Sequence, residues 1–475
     1  MGASYGPSPN GSMPDLAVIG AGSAGFAAAI RGAELGANVT LVGHGTIGGT
    51  CVNVGCVPSK TLIRASEALH AGRAATRFAG IFSDARLHDW SAVVSQKDEL
   101  VSLLRERKYE DVLRHYNTIS YVEGRARFTE EGFEVGGVKV QPHRTIIATG
   151  ASPAAPPIPG MNLAPWLTST TAMALHRLPA SLIVIGGGFV GCELGQMFAR
   201  AGTRVTILCR SRLLPQAEPE IGEALTEYLR REDIDVHCGV AYEAIRATTT
   251  GAALSLSNGA GNYVVEGERV LVATGRRPNT SDLGLSNVGI DLNQRGGIRV
   301  DDRMRATRAG FYAAGDVTGR DMFVYMAAYG AVIAAENALN GDGRRYDDSA
   351  MPEVAFTDPQ VASVGLTEAA ARSRGFDVRT SILNLDQVPR ALAARDTRGL
   401  VKLVAEADSG RLLGAHILAP EGGDSIQTAA LAIKCGLTVH QLAETIFPYL
   451  TTVEALKLAA LGFEKDVARL SCCAG

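Results

Sequence analysis

Two cysteines five positions apart, Cys51 and Cys56, lie in the segment Gly48-Gly49-Thr50-Cys51-Val52-Asn53-Val54-Gly55-Cys56-Val57-Pro58-Ser59-Lys60. The pattern predicts a helix start here, and two thiols at this spacing can close a small disulfide. A helix N-terminus lowers thiol pKa, so the reduced pair is expected to hold reactive thiolate at neutral pH. Spacing alone leaves a metal site or inert thiols open. A second pair, Cys472-Cys473, ends the chain in Leu470-Ser471-Cys472-Cys473-Ala474-Gly475. Adjacent thiols at a mobile end suit capture of a soft cation, although an accidental pair in a frayed terminus is the plainer reading. Cys192, Cys209, Cys238 and Cys435 are scattered and read as small buried apolar residues.

A reactive pair needs an electron source, and the elements around it supply two candidate nucleotide sites. Asp15 to Ile19 reads as a buried parallel strand, followed by Gly20-Ala21-Gly22-Ser23-Ala24-Gly25, a helix over 26–35 and a second strand over 37–42. Glycines there allow a tight turn and let a pyrophosphate approach the helix N-terminus. The pattern returns 166 residues later, with a strand over 181–185, Gly186-Gly187-Gly188-Phe189-Val190-Gly191, a helix over 192–201 and a strand over 204–208. Strand, turn, helix and second strand together make each motif far more specific than its glycines alone. Two dinucleotides in one chain suggest an electron relay.

The residues after each second strand bear on nucleotide choice. Arg210 and Arg212 follow the later one, where an acid would bind a free ribose hydroxyl, and favour a 2′-phosphate and hence NADPH. The alternative is two solvated surface arginines. In the earlier unit Gly43 stands where an acid is expected for the FAD ribose, so another group or water takes that hydroxyl. Two further strands end alike, in Ala148-Thr149-Gly150 and Ala273-Thr274-Gly275, and return the chain to a nucleotide domain. A strand over 311–314 runs into Gly315-Asp316, where Asp316 can accept a hydrogen bond from a flavin ribityl chain or simply cap a helix.

Composition sets the frame for these elements. The chain has 475 residues, 46% hydrophobic and 20% charged, which is enough for about three ordinary globular cores. A net charge of -3 gives no reason to expect nucleic acid. The longest apolar stretch, Leu16 to Ile30, is interrupted by glycine and falls short of the ~20 residues that span a bilayer. No secretory signal opens the chain, Met1 to Met13 reads as a loose tail, and the expectation is a soluble, cytoplasmic protein.

Gly48 to Lys60, both glycine motifs and the Gly315-Asp316 turn resemble the pyridine nucleotide-disulfide oxidoreductase family over nearly the whole chain. The resemblance implies an α/β fold with two Rossmann-like dinucleotide-binding domains, for FAD and NADPH, and an α+β C-terminal dimerisation domain. It divides the chain into a tail (1–14), the first part of the FAD domain (15–155), the NADPH domain (156–283), a central segment completing the FAD domain (284–346) and an interface domain (347–475). It implies Cys56 against the flavin, Cys51 as interchange thiol, and Lys60 near the flavin's reactive nitrogen and paired with Glu193. Phe189 stands where relatives carry a tyrosine gate for nicotinamide. Gly49 and Thr50 join the glycine motifs in holding FAD.

Substrate choice rests on three features that separate members of that family. Its disulfide reductases carry a histidine to protonate the leaving thiolate; the matching stretch here, Tyr449 to Glu454, keeps the acid but has Tyr449 in place of the base. A phenol with a pKa near ~10 is a poor proton shuttle at neutral pH. The Ser-Cys-Cys-Ala-Gly ending resembles the mercuric reductase branch, and Tyr109 matches a second active-site tyrosine. These resemblances imply that Cys51, Cys56, Cys472 and Cys473 bind Hg(II), flanked by Tyr109 and Tyr449, in a homodimer whose active site takes the tail from the partner subunit. The competing readings are an FAD-dependent disulfide reductase and a non-catalytic soft-metal binding protein.

Overall fold

The computed structural model describes residues 13–470. The expected N-terminal tail, save its last residues, and the Cys472-Cys473 pair lie outside the described residues.

The described chain forms two compact units, each assembled from separated stretches. The first gathers residues through Thr61, Ala92–Ala154 and Gly275–Asp347. Its sheet is built on β1 (Leu16–Ile19), β2 (Val39–Gly43) and β3 (Ile119–Glu123), with Arg144–Ile147 and Phe311–Ala313 beyond β1, all parallel. All of β1 and β2 is buried. Unbroken apolar runs of this kind suit strands covered on both faces. One face packs on α1 (Ser23–Glu34) and the helix Val324–Asn340, both rich in alanine and so able to lie close together. The other face is closed by Phe128, Phe133 and Val135 of a small antiparallel sheet, with Leu285, Val288 and Ile298.

The second unit holds Leu62–Ser91, Ala155–Thr274 and the chain from Asp348 onward. Its nucleotide-type sheet orders the strands Asp235–Cys238, Arg204–Cys209, Ser181–Ile185, Arg269–Val272 and Trp166–Leu167, again parallel. A three-stranded antiparallel sheet over 241–267 closes one face. From Pro352 the strands become antiparallel, in the order Pro352–Ala355, Gln360–Gly365, Leu412–Ala419, Leu400–Glu406, Val378–Asn384. The helices Gly422–Lys434 and Glu454–Leu461 bury their apolar faces in this sheet's core. Within this unit the buried ammonium of Lys402 reaches Glu218, Glu220 and Glu368 at 3.0, 2.8 and 3.0 Å, tying the nucleotide-type sheet to the antiparallel one. No helix among the described residues is long and apolar enough to cross a membrane.

Candidate active site

The cysteine segment reaches the first nucleotide turn through two glycines. Gly48 and Gly49 have positive φ, 93° and 64°. A Cβ on Gly49 would lie 2.6 Å from Gly22 Cα, and one on Gly48 2.6 Å from Val52 Cγ1 and 3.1 Å from the Tyr109 ring. Only glycine permits both the conformation and the approach. The Gly48 N–H donates to Ala21 O at 2.9 Å. Asn53 Nδ2 then donates to Ile47 O and Gly49 O at 2.8 and 2.9 Å, and Arg105 holds Asn53 Oδ1 at 3.1 Å. The segment is therefore fixed before either sulfur is considered.

Cys51 lies within α2 (Gly49–Val54), and Cys56 opens α3 (Cys56–Ala74). Both thiols are half-buried. Cys51 donates its proton to Cys56, and that bond together with burial pushes the Cys51 thiol up, against the pull of the Cys56 N–H and Lys60. Cys56 opens a long helix, whose dipole favours negative charge at that end.

Tyr109 sits on a single π turn, Glu106–Glu110, between the helices Trp90–Arg105 and Asp111–His115. Such turns often mark functional positions. Its ring meets Phe26 edge-on, with centroids 4.9 Å apart. Burial raises its pKa, the Ser23 hydroxyl bonds to its oxygen, and the charges of Cys51 and Cys56 raise it further. A neutral phenol therefore stands beside the thiol pair.

Arg276 was not among the sequence candidates. Its guanidinium donates to Ala151 O, lies 3.4 Å from Thr50 Oγ1, pairs with Asp316 at 3.7 Å and interacts electrostatically with Cys56. Burial raises the Asp316 carboxyl and Arg276 opposes that rise. Its sequence signal was weak: one arginine after Gly275, in a chain with many.

The first unit fits a bound FAD on its own geometry. α1 starts without a side-chain cap and without an acid in its first turn, so the N–H groups of Ser23, Ala24 and Gly25 are left for an anion. Ala148, Thr149 and Gly150 end the neighbouring strand, where Asn279 brackets Thr149 by accepting and donating at 2.8 and 2.9 Å. Gly315 and Asp316 end the next strand. Gly20, Gly22, Gly49, Thr50 and Gly275 fall in the same unit. These positions gather at the carboxyl ends of parallel strands, where such sheets bind nucleotides. The glycine at position 43 now has a physical reason. An added Cβ there would meet the Tyr121 hydroxyl at 2.5 Å and Ala21 Cβ at 2.7 Å, so the Tyr121 phenol fills the place of the expected acid.

In the second unit, Gly186, Gly188 and Gly191 open the helix Phe189–Ala201, again with no side-chain cap and no acid in the first turn. Phe189 is half-buried at its first position. Arg210 is exposed, whereas Arg212 donates to the carbonyls of Pro215, Ala217 and Glu218 at 2.7 to 3.3 Å. Loop building thus already engages Arg212, and Arg210 is the more available cation. Buried Glu193 accepts from the Phe356 N–H at 2.9 Å. Lys60 belongs to the first unit and Glu193 to the second. Tyr449 is 48% exposed, beside Leu450 at φ 60°, whose N–H donates to Glu454 at 3.1 Å.

The scattered cysteines need correcting. Cys192 is fully buried, as expected, but Cys435 is exposed where its helix ends. Cys209 and Cys238, far apart in sequence, meet with their sulfurs at 3.3 Å.

Comparison with known proteins agrees with this geometry. Residues 14–335 match the pyridine nucleotide-disulphide oxidoreductase model, and residues 351–460 its dimerisation domain. The chain is 48% identical over 467 residues to the mercuric reductase of Streptomyces lividans, covering 97% of this chain and 98% of that protein. It is 46% identical to that of Shigella flexneri, covering 97% and 82% respectively. Among solved structures, the copper(II) complex of the HOCl-induced flavoprotein disulfide reductase RclA from Escherichia coli superposes with a TM-score of 0.84 at 29% identity, covering 96% of this chain and all of that one. The glycine turns, the cysteine pair seated on the first of them and the matched dimerisation segment together place the chain in the pyridine nucleotide-disulphide oxidoreductase family.

Proposed function

We propose that this chain reduces Hg(II) to Hg(0) with electrons from NADPH, using Cys51 and Cys56 as the thiols that hold the metal. The observation that carries this reading is a cysteine pair flanked by Tyr109, in a chain nearly half identical throughout to mercuric reductases. Family membership makes the chain a pyridine nucleotide-driven flavoprotein. When bound, FAD and NADPH supply the two electrons that the metal ion requires.

The chain's own residues do the rest. Cys56 attacks Hg(II) arriving as a complex of small thiols and displaces one of them, Cys51 displaces the second, and each small thiolate takes up the proton that its cysteine gives up as it leaves. Lys60 and Arg276 balance the negative charge of the dithiolate. Tyr109, held neutral, orients its hydroxyl toward the exchanging ligands without competing with sulfur for a soft ion. Cys472 and Cys473 deliver Hg(II) by the same exchange, from the partner subunit, and Tyr449 flanks the ion on that side. The neutral metal binds thiolate weakly and departs. Ligand exchange of this kind requires no acid-base histidine, which agrees with Tyr449 in its place.

For the cofactors, the first glycine turn, Thr149, Asp316, Tyr121 and Lys60 hold FAD. Gly186, Gly188 and Gly191 hold NADPH, with Phe189 as the gate and Arg210 on the 2′-phosphate. Residues 15–155 and 284–346 form the FAD domain, 156–283 the NADPH domain and 347–475 the interface of a cytoplasmic homodimer. The test is NADPH oxidation by the purified protein with Hg(II) in excess thiol. Hg(II)-driven oxidation, with selective failure of a Cys472→Ala/Cys473→Ala variant on bulky thiol complexes, supports the reading. Inhibition by Hg(II) alongside turnover of a small disulfide sinks it.

A further inference from the structure

Outside the site just described, one pair of nucleophiles stands apart. Cys209 ends the strand Arg204–Cys209, Cys238 ends Asp235–Cys238, and the two are direct register partners in the parallel pairing. Their sulfurs lie 3.3 Å apart, with Cys209 donating to Cys238. Cys209 is buried, while Cys238 is half-buried. The Ser211 N–H points at the Cys209 sulfur, and the Leu213 N–H at the Cys238 sulfur. The positive groups facing Cys238 are Arg230 and, when protonated, His237. His237 itself bonds Asp235 at 2.8 Å and the Tyr263 hydroxyl at 3.0 Å. The hydrogen bond from Cys209, with Arg230 and the Leu213 N–H, brings the Cys238 thiol down to about 6 against the cost of its burial.

We infer that Cys209 and Cys238 form a second Hg(II) site, a two-sulfur clamp in the second nucleotide-type sheet that binds the ion without reducing it. Two features select the ligand. No group of three or more His, Cys, Asp or Glu among the described residues is arranged to hold a metal ion, so the four-ligand shell of a structural zinc is not offered. Two thiolates in a partly apolar setting suit a soft ion content with two ligands. Capture moves no electrons. The Cys238 thiolate displaces one small thiolate from a bis-thiolate Hg(II) complex. Cys209 displaces the second and passes its proton to it, so one thiolate and one thiol are released and two metal–sulfur bonds replace two. The consequence falls on the nucleotide turn. A Cβ on Gly187 would lie 2.9 Å from Cys209 Cβ and 3.3 Å from its sulfur, so the clamp abuts the glycine loop and is followed directly by Arg210.

The inference rests on Hg(II) being an ion this protein meets, but its test needs no turnover. The protein, with its thiols reduced and its flavin oxidised, is equilibrated without NADPH with Hg(II) in excess small monothiol and desalted, and mercury is counted per protomer. A Cys209→Ala/Cys238→Ala variant is expected to retain one ion fewer than the unaltered protein; equal loading overturns the site. Should the double variant fail to keep its flavin, Cys238→Ser, at the more open position, reads the same loss. The count is repeated with Zn(II), where no difference between the proteins is expected; a matching loss of Zn(II) would make this a zinc site and overturn the assignment. A protein that holds the extra ion yet does not oxidise NADPH with Hg(II) keeps this inference and loses the catalytic one.

Discussion

At the scale of single residues, two hydroxyls beside the first glycine turn carry separable roles. The Tyr121 phenol occupies the space of the acid missing at Gly43. A single hydrogen bond of this kind is worth roughly 0.5–1.5 kcal/mol. Tyr121→Phe should therefore weaken FAD binding by about 2- to 12-fold, read by reconstituting the stripped protein and following flavin fluorescence. Adding Gly43→Glu should not restore affinity, because its Cβ would still meet Ala21 Cβ at 2.7 Å; full rescue would show that the acid and the phenol are interchangeable. Tyr109→Phe tests the other hydroxyl. Its loss should lower Hg(II) turnover about tenfold, the worth of one good hydrogen bond to the reacting ligands. Flavin reduction by NADPH in a rapid-mixing experiment should keep its rate, and slowing of that half-reaction would place Tyr109 in the wrong step.

At the scale of elements, Lys402 is a buried tie between the nucleotide-type sheet and the antiparallel sheet of the second unit. Lys402→Met leaves Glu218, Glu220 and Glu368 clustered without their cation, and breaking such a buried pair costs about 3–5 kcal/mol. Arg372 and Lys402 hold the Glu368 carboxyl below its usual range, and Lys402 does the same for Glu220 despite partial burial. Depressed carboxylates contribute stability above their ordinary titration range and lose it as pH falls through the lowered values. The wild-type advantage in denaturant unfolding should thus be full at neutral pH and shrink in acid; a deficit that does not change with pH would point to packing instead. The Gly48–Gly49 turn is a second element under constraint. Gly49→Ala would force a side chain into positive φ and against Gly22 Cα at 2.6 Å, so the purified variant should emerge with most of its flavin lost, as its absorbance would show.

At the scale of the whole molecule, the proposed delivery of Hg(II) between subunits makes a quantitative prediction. Cys51→Ala and Cys472→Ala/Cys473→Ala homodimers should each fail on bulky Hg(II) thiol complexes. Co-expressed, half the dimers are hybrids with one of two sites complete, so activity should recover to about a quarter of wild type if each site uses its partner's tail. Absence of any recovery would mean that each tail serves its own subunit.

How much of this was legible in the sequence follows from what each feature depends on. The strand–glycine–helix units, the Cys51–Cys56 segment and the turn at Gly315-Asp316 depend on residues close together in the chain, where periodicity and glycine placement leave a local signature. The fold class and the family could be read at that level. Tyr109 could be placed only by resemblance, since a π turn redirecting one side chain has no composition of its own. Arg276, Tyr121 and the Cys209–Cys238 pair were decided by tertiary structure alone. Each arises from the register of neighbouring strands or from long-range return of the chain, such as Cys209 opposite Cys238 across a parallel pairing. Register is set by burial of whole strands against both covering layers, a sum over many side chains that no single motif encodes.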